Sequence, residues 1–369
     1  MSRTAVIILN WNGCELMRRY LPEVLANSTS SDPTHTVDVI VADNASTDGS
    51  IDMLKAEFPQ VSLILLDKNY GFAEGYNRAL RQVDHDYVVL LNSDVAPAAG
   101  WLEPLIALME RESDVAACGP KLRDDKRHEA FEYAGAAGGY VDWLGYPLCR
   151  GRVMDTVEED QGQYDSEANV LWQSGAALMV RRELYNDMGG LDADFFAHME
   201  EIDLCWRMRN AGWRIVTCPS STVYHLGGAT LSATNPRKTY LNFRNNLTML
   251  IKNYNGSRWV WVFALRLLLD GLAGVRYLIG LEPRFCWAIV RAHWYLWTHW
   301  RTIMGKRNML APLRGESLAP EILRFSLLWR YYARGERTYG EMTKKQLTHK
   351  TIGTKIGQQK PNNKTKETR

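Results

Sequence analysis

Over the first hundred residues, four short apolar runs alternate with segments of helical period. That alternation constrains the fold more than any other feature. The runs at 5–9, 37–42, 61–66 and 87–91 are continuous and rich in Val, Ile and Leu, the pattern of strands buried on both faces of a parallel sheet. Between them, 15–26, 50–58 and 73–83 read as helices. The series predicts an α/β fold with a Rossmann-like, mostly parallel sheet, and ligands outside the carboxyl ends of its strands.

That rule directs attention to three strand ends. Asn10-Trp11-Asn12-Gly13 follows the first strand, Asp43 opens the run to Gly49 after the second, and Asn92-Ser93-Asp94 follows the fourth. Each cluster alone is ordinary turn chemistry, but three on one sheet edge point to a binding site. No G-x-G-x-x-G or Walker loop opens any of the helices. This argues against a dinucleotide dehydrogenase or an ATPase and leaves a nucleotide to be held by side chains and a metal.

The pattern fades from about 118 to 170. The glycine-rich stretch 135–139 and the acidic 155–165 are expected to form a mobile loop region, before a buried strand returns at 172–180. Glu200, Glu201 and Asp203 then crowd the start of a helix. Acids there suit the helix dipole, and carboxylates this close raise one another's pKa, which suits a general base. At 100° per residue the three cannot all face one cleft. His225 ends a further strand, and with Asp94 it makes a shared divalent cation, Mn²⁺ or Mg²⁺, a reasonable expectation.

Charge divides the chain. Residues 1–257 hold 23 Lys/Arg against 35 Asp/Glu, whereas 258–337 hold 13 against 5, with seven of the 13 tryptophans. The expected division is 1–257 as the α/β domain, 258–340 as an amphipathic helical region and 341–369 as a basic disordered tail. The apolar segment 258–281 is interrupted by Arg266, Asp270 and Arg276, too costly for a bilayer span. It is expected to lie in the membrane interface, the alternative being a packed helical subdomain with snorkelling arginines. The basic tail carries no RNA-binding motif, so no nucleic-acid partner is expected. The apolar run 5–9 is too short for a signal peptide, and six scattered cysteines fit a reducing compartment. The expected location is cytoplasmic, on the inner face of the membrane.

Eight motifs occur in order: NWNG at 10–13, DNASTDGS at 43–50, NYGFAEGYNRAL at 69–80, LLNSDV at 90–95, WQSGAALMVRR at 172–182, GGLDADFF at 189–196, EEIDLCWRMRNAGW at 200–213 and YHLGG at 224–228. Together they resemble the inverting family 2 glycosyltransferases of GT-A fold, in their bacterial rhamnosyltransferase-like branch, over about residues 4–250. The resemblance implies that Asp43 reads a pyrimidine base, helped by the Asn10 loop, and that Gly71, Gly75 and Asn77 line the nucleotide pocket. Asn92-Ser93-Asp94 takes the D-x-D position: Asp94 binds the metal that bridges two phosphates, Asn92 faces the ribose, and His225 is a further ligand. The acidic motif supplies the base, with Glu201 preferred over Asp203 and Glu200. Asn92 stands where many relatives have Asp, and Glu201 where they have the Asp of an E-D pair. The implied activity moves a sugar from dTDP-rhamnose or a UDP-sugar to a glycan or lipid-linked acceptor in surface polysaccharide synthesis. A nucleotidyltransferase and an inactive sugar-nucleotide-binding scaffold are the alternatives.

Overall fold

The computed structural model describes residues 2–227, 235–315 and 317–344. The four apolar runs are strands: β1 (Ser2–Asn10), β2 (His35–Asp43), β3 (Ser62–Leu65) and β4 (Tyr87–Leu91), connected by α1 (Cys14–Asn27), α2 (Ser50–Glu57) and α3 (Gly71–Leu80). All three pairings among them are parallel, and β1 and β2 end in register at Asn10 and Asp43. Successive β1 side chains point to opposite faces. Val6 and Ile8 pack with Met17, Leu21 and Met53, while Ala5 and Ile7 pack with Tyr76 and Leu80.

Beyond β4 the chain adds β5 (Val95–Pro97), α4 (Leu102–Arg111) and β6 (Val115–Asp124), then the short strands β7 (Gly139–Asp142), β8 (Pro147–Cys149), β9 (Arg152–Val153) and β10 (Thr156–Val157). There follow β11 (Ala168–Val170), β12 (Ala177–Arg181), α5 (Arg182–Asp187), α6 (Glu200–Asn210) and β13 (Arg214–His225). The main sheet has nine strands, ordered β11-β13-β6-β12-β4-β1-β2-β3, with β5 beside β13. It is mixed and not mostly parallel: β12 lies antiparallel between β4 and β6, and β5 and β11 lie antiparallel to β13. Parallel neighbours need a crossover, and the helix-joined series stops at β4.

The region expected to be mobile is instead packed. β7 to β10 form a five-stranded sheet with β14 (Ile322–Leu323), which pairs in parallel with β7. The glycines of 135–139 serve close approach: a Cβ on Gly139 would lie 1.9 Å from the Trp172 ring, and one on Gly135 would lie 2.4 Å from Ser174 Cβ. The acidic loop is clamped by cations. Lys121 meets Asp160 at 2.8 Å, and Arg123 and Lys121 also meet Asp160 and Asp165 respectively.

The remaining helices are α7 (Pro236–Asn253), α8 (Trp259–Ile279), α9 (Pro283–Thr298) and α10 (Trp300–Met309). The core does not divide at 257. Val262, Leu296, Ile303, Leu327 and Met342 belong to the same buried cluster as Leu204, Trp206 and Leu247. Arg266 does not snorkel. It is buried, donates to Leu144 O at 2.8 Å, stacks 3.8 Å from the Tyr146 ring centroid and pairs with the buried Asp270. Arg266 and Asp270 of α8 therefore face the protein while Arg276 stays exposed, and most of the expected tail, from 345 onward, lies outside the described residues.

Gly139→Ala should destabilise the protein by about 1–3 kcal/mol, because the Trp172 ring leaves no room for a methyl group. Gly271→Ala on the open face of α8, where nothing lies within 4 Å of a new Cβ, should be neutral or stabilising by up to about 1 kcal/mol. Denaturant unfolding of both variants tests the contrast.

Candidate active site

The paired ends of β1 and β2 build the first part of the site. Asn10 Nδ2 donates to Asp43 Oδ2 at 2.9 Å, and Ser46 N donates to Asp43 Oδ1 at 2.8 Å. The following turns are locked together by Asn12 N to Ser46 Oγ (2.9 Å), Thr47 N to Asn12 Oδ1 (2.7 Å) and Cys14 N to Asp48 Oδ2 (2.9 Å). Asp43 is fully buried as the hub of this loop pair, whereas the Trp11 ring beside it is 51% exposed. Asn44 next ties in the N-terminus of α3, donating to Gly71 O and accepting from Tyr70 N.

At the end of β4, the antiparallel β5–β13 pair sets His225 opposite Val95, directly beside Asp94. His225 Nε2 lies 3.1 Å from Asp94 Oδ1 and 3.4 Å from Asn92 Nδ2. Its Nδ1 lies 3.3 Å from Glu132 Oε1, an ion-pair distance without hydrogen-bond alignment. Burial alone would lower the imidazole pKa, but the Asp94 hydrogen bond and the close Asp94 and Glu132 carboxylates outweigh it and push it up to about 10. Among the described residues no three His, Cys, Asp or Glu side chains are spaced to hold a metal ion by themselves. Asp94 and His225 do converge as a carboxylate–imidazole pair, a donor set that fits Mn²⁺ or Mg²⁺ once the imidazole proton is released.

The acid-rich helix meets this centre through residues 174–176. Asn92 N donates to Ala176 O at 3.0 Å, and one residue earlier a Cβ on Gly175 would lie 3.5 Å from Glu201 Cβ. The three acids of α6 have separate fates. Asp203 is fully buried and neutralised, accepting from Arg207 Nε and Lys252 Nζ, each at 2.9 Å, and from Asn253 Nδ2 at 2.7 Å. Among the described residues Glu200 and Glu201 have no cation partner, and one oxygen of each is buried without a hydrogen-bond partner. Burial pushes Glu201 up to about 7 against its own helix N–H bonds, and burial plus the Glu201 charge push Glu200 well above the usual carboxylate range. Of the two, Glu201 keeps access to solvent. The backbone leading into α6 has positive φ at Phe196, His198 and Met199 (65°, 71° and 72°), strain of the kind that persists where surrounding structure enforces it. Asn245 of α7 does so, donating to the carbonyls of Phe195, Ala197 and His198.

With these elements in place, the comparisons with known proteins decide the family. The family model described as glycosyl transferase family 2 matches residues 5–187. The chain belongs to that family. An N-acetylglucosaminyl-diphospho-decaprenol L-rhamnosyltransferase of Mycobacterium tuberculosis is 31% identical over 207 residues, which span 51% of this chain and 66% of the relative. The dTDP-rhamnosyl transferase RfbF of Shigella flexneri is 24% identical over 231 residues, 58% of this chain and 71% of that one. A crystal structure of GalNAc-T7 with UDP, GalNAc and Mn²⁺ superposes at a TM-score of 0.53 with 14% identity, over 68% of this chain and 48% of that one. The fold is the GT-A type.

Within this family 2 inverting glycosyltransferase the predicted site residues divide in two. Asn10, Asp43, Asn92, Ser93, Asp94, His225 and Glu201 gather at the carboxyl edge of the sheet. Gly71, Gly75 and Asn77 are built into the packing beside it. Asn77 is consumed by packing, donating to Leu191 O and accepting from Tyr185 Oη and Leu191 N. Gly75 lets α3 approach Leu9, and Gly71, at φ 75°, lies under the Phe196 ring. Asp203 has both oxygens engaged, Oδ2 by Arg207 and Lys252 and Oδ1 by the Asn253 amide. Glu132, which grips His225 from behind, escaped sequence reading because it lies in the stretch without periodicity.

Glu201→Gln should fold with a melting temperature at pH 8 equal to or above that of the wild type. An acid whose folded-state pKa is raised to about 7 costs stability as pH climbs from its ordinary value of 4.5 to about 7, the full cost is present at pH 8, and the amide removes it. Asp203→Asn, which strips a buried partner from Arg207 and Lys252, should lose about 3–5 kcal/mol. Thermal and denaturant unfolding of the two variants separates the roles.

Proposed function

We propose that the protein moves a sugar, rhamnose from dTDP-rhamnose in the first instance and otherwise a hexose from a UDP-sugar, to a hydroxyl of a glycan or lipid-linked saccharide in bacterial surface polysaccharide synthesis. The observation that carries this reading is Glu201, a half-buried carboxylate with an unpartnered oxygen and a pKa near 7, set beside the Asp94–His225 end of β4. The similarity to two rhamnosyltransferases supports the donor sugar.

In a single displacement the acceptor oxygen attacks the anomeric carbon from the side opposite the leaving nucleoside diphosphate. Glu201 takes the acceptor proton as that bond forms, and a base with a pKa near the working pH is the best compromise between ionisation and proton affinity. Asp94 and His225 hold the divalent cation, with Glu132 orienting the imidazole. The cation, when bound, supplies neutralising charge for the departing diphosphate. The Asn10–Asp43 loop pair shapes the pocket for the base, and the exposed Trp11 ring offers it a stacking surface.

The reading includes a membrane seat. No described helix is long and apolar enough to cross a bilayer. The outer face of α8 nevertheless carries Trp261, Leu268, Leu272, Val275 and Ile279, each at least half exposed, and Trp287, Trp294 and Trp297 continue this surface on α9. Arg276, Arg284 and Arg291 lie among them. Tryptophan and arginine around an apolar face suit the interface of an anionic bilayer.

Activity should rise with pH through about 7, and Glu201→Gln should cost at least about 100-fold in kcat while leaving donor binding intact. A pH–rate profile with donor titration tests this, and the base assignment fails if Glu201→Gln keeps wild-type turnover. In flotation assays the wild type should rise with phosphatidylglycerol vesicles. Leu268→Glu/Leu272→Glu should stay at the bottom with an unchanged melting temperature.

A further inference from the structure

Between α7 and α9 the surface opens into a cavity of about 640 Å³, walled by Arg237, Arg244, Arg284 and Arg291 with Phe196 and Trp287. Its size is that of a small-ligand site. No Asp or Glu is among its described lining residues, and none of the four guanidinium groups is paired with a carboxylate among the described residues. Arg244 is buried and spends its donors on Asn245 Oδ1 and the carbonyls of Asp194 and Phe195. Arg237 lies 5.0 Å over the Phe196 ring and Arg291 lies 5.1 Å over the Tyr240 ring. Four guanidinium groups lining one cavity with no carboxylate among its described lining residues suit a polyvalent anion, and planar guanidinium forks match phosphate oxygens in pairs.

Two neighbours narrow the ligand. On the outer side Trp287 is 62% exposed and begins the row that continues through Trp294 and Trp297 on the same face of α9, so the cavity opens directly onto the apolar surface. On the inner side Phe196 packs over Gly71, and its carbonyl accepts from Phe72 N at 2.9 Å. The strained turn then runs from Phe196 to Glu201. A ligand here has an anionic head one turn from the base and an apolar tail in the membrane plane.

We propose that this cavity binds the diphosphate of a polyisoprenyl-diphosphate-linked acceptor, with the isoprenoid leaving past Trp287 along α9 and the attached sugar presented toward Glu201. This rests on the reading of a lipid-linked acceptor and assigns that acceptor a site separate from the Asp94 centre that serves the donor.

The test uses the full chain and four probes: farnesyl diphosphate, farnesol, phosphatidylglycerol vesicles, and dTDP with Mn²⁺ as the donor-site control. Farnesyl diphosphate should bind more tightly than farnesol and persist in the presence of dTDP. Arg284→Gln/Arg291→Gln, both exposed positions, should weaken it at least about tenfold and leave dTDP binding and the melting temperature unchanged. Unaltered farnesyl diphosphate binding in that variant overturns the proposal. So does equal affinity for farnesol, displacement by dTDP, or displacement by phosphatidylglycerol vesicles, which would reassign the arginines to ordinary headgroups. A wild type that binds farnesyl diphosphate but not dTDP would refute the donor assignment and leave the cavity standing.

Discussion

The structure hinges on a buried chain of charges beneath the acid-rich helix. Asp203 of α6 is gripped by Arg207 of its own helix and Lys252 of α7, and Lys252 also meets Asp192 at 2.6 Å, where Lys306 of α10 joins from the other side. Those cations hold Asp192 far below the usual carboxylate range despite its burial. Removing charges from water is costly, and such a network persists only when every member is matched. Here it joins three helices from two charge regimes of the sequence. α7 and, through Lys306 and Asp192, α10 of the basic region thus support the acid-rich helix, in keeping with a buried core that runs through residue 257 without a seam.

That foundation fixes which acid is free. Asp203 absorbs the nearby cations, so Glu200 and Glu201 remain without any, and desolvation raises both. Two carboxyls this close titrate as a pair, and the member with solvent access is Glu201. Across the site the electrostatics are reversed. His225 lies between the carboxylates of Asp94 and Glu132, a set whose surplus of negative charge suits a cation. On the proposed reading this edge of the sheet would hold a proton acceptor on one side and, with a cation bound, a charge-compensating centre on the other. Single-displacement transfer requires this separation.

How much of this was legible in the sequence follows from the range of the interactions. β1 to β4 and the Asn10, Asp43 and Asp94 turns were readable because period and turn chemistry are local properties. The small sheet was not, because glycine serves both freedom and close approach, and only the Trp172 ring shows that Gly139 serves the second. The acids of α6 were recognisable as a cluster but equivalent to one another, since the partners that separate them come from residues 252 and 253. The packing of Asn77 was hidden for the same reason, since Tyr185 and Leu191, which it bonds, lie more than a hundred residues away.

The inverted polarity of α8 connects these strands of argument. A helix packed on a soluble protein normally turns its charges outward, yet α8 buries Arg266 and Asp270 and exposes Leu268, Leu272 and Ile279. The inward pair has an evident function, since Arg266 caps Leu144 O and stacks on Tyr146, seating the helix against the small sheet. Water gives the outward face no comparable reason; the proposed membrane seat would supply one. Drawing an isoprenoid tail out of lipid into water costs about 0.8 kcal/mol per methylene group, so an enzyme that uses a long-chain acceptor cannot lift it from the membrane and must come to it. On the proposed reading, the apolar helix face and the arginine-walled cavity beside the Phe196–Glu201 turn would bring the active site to the acceptor instead.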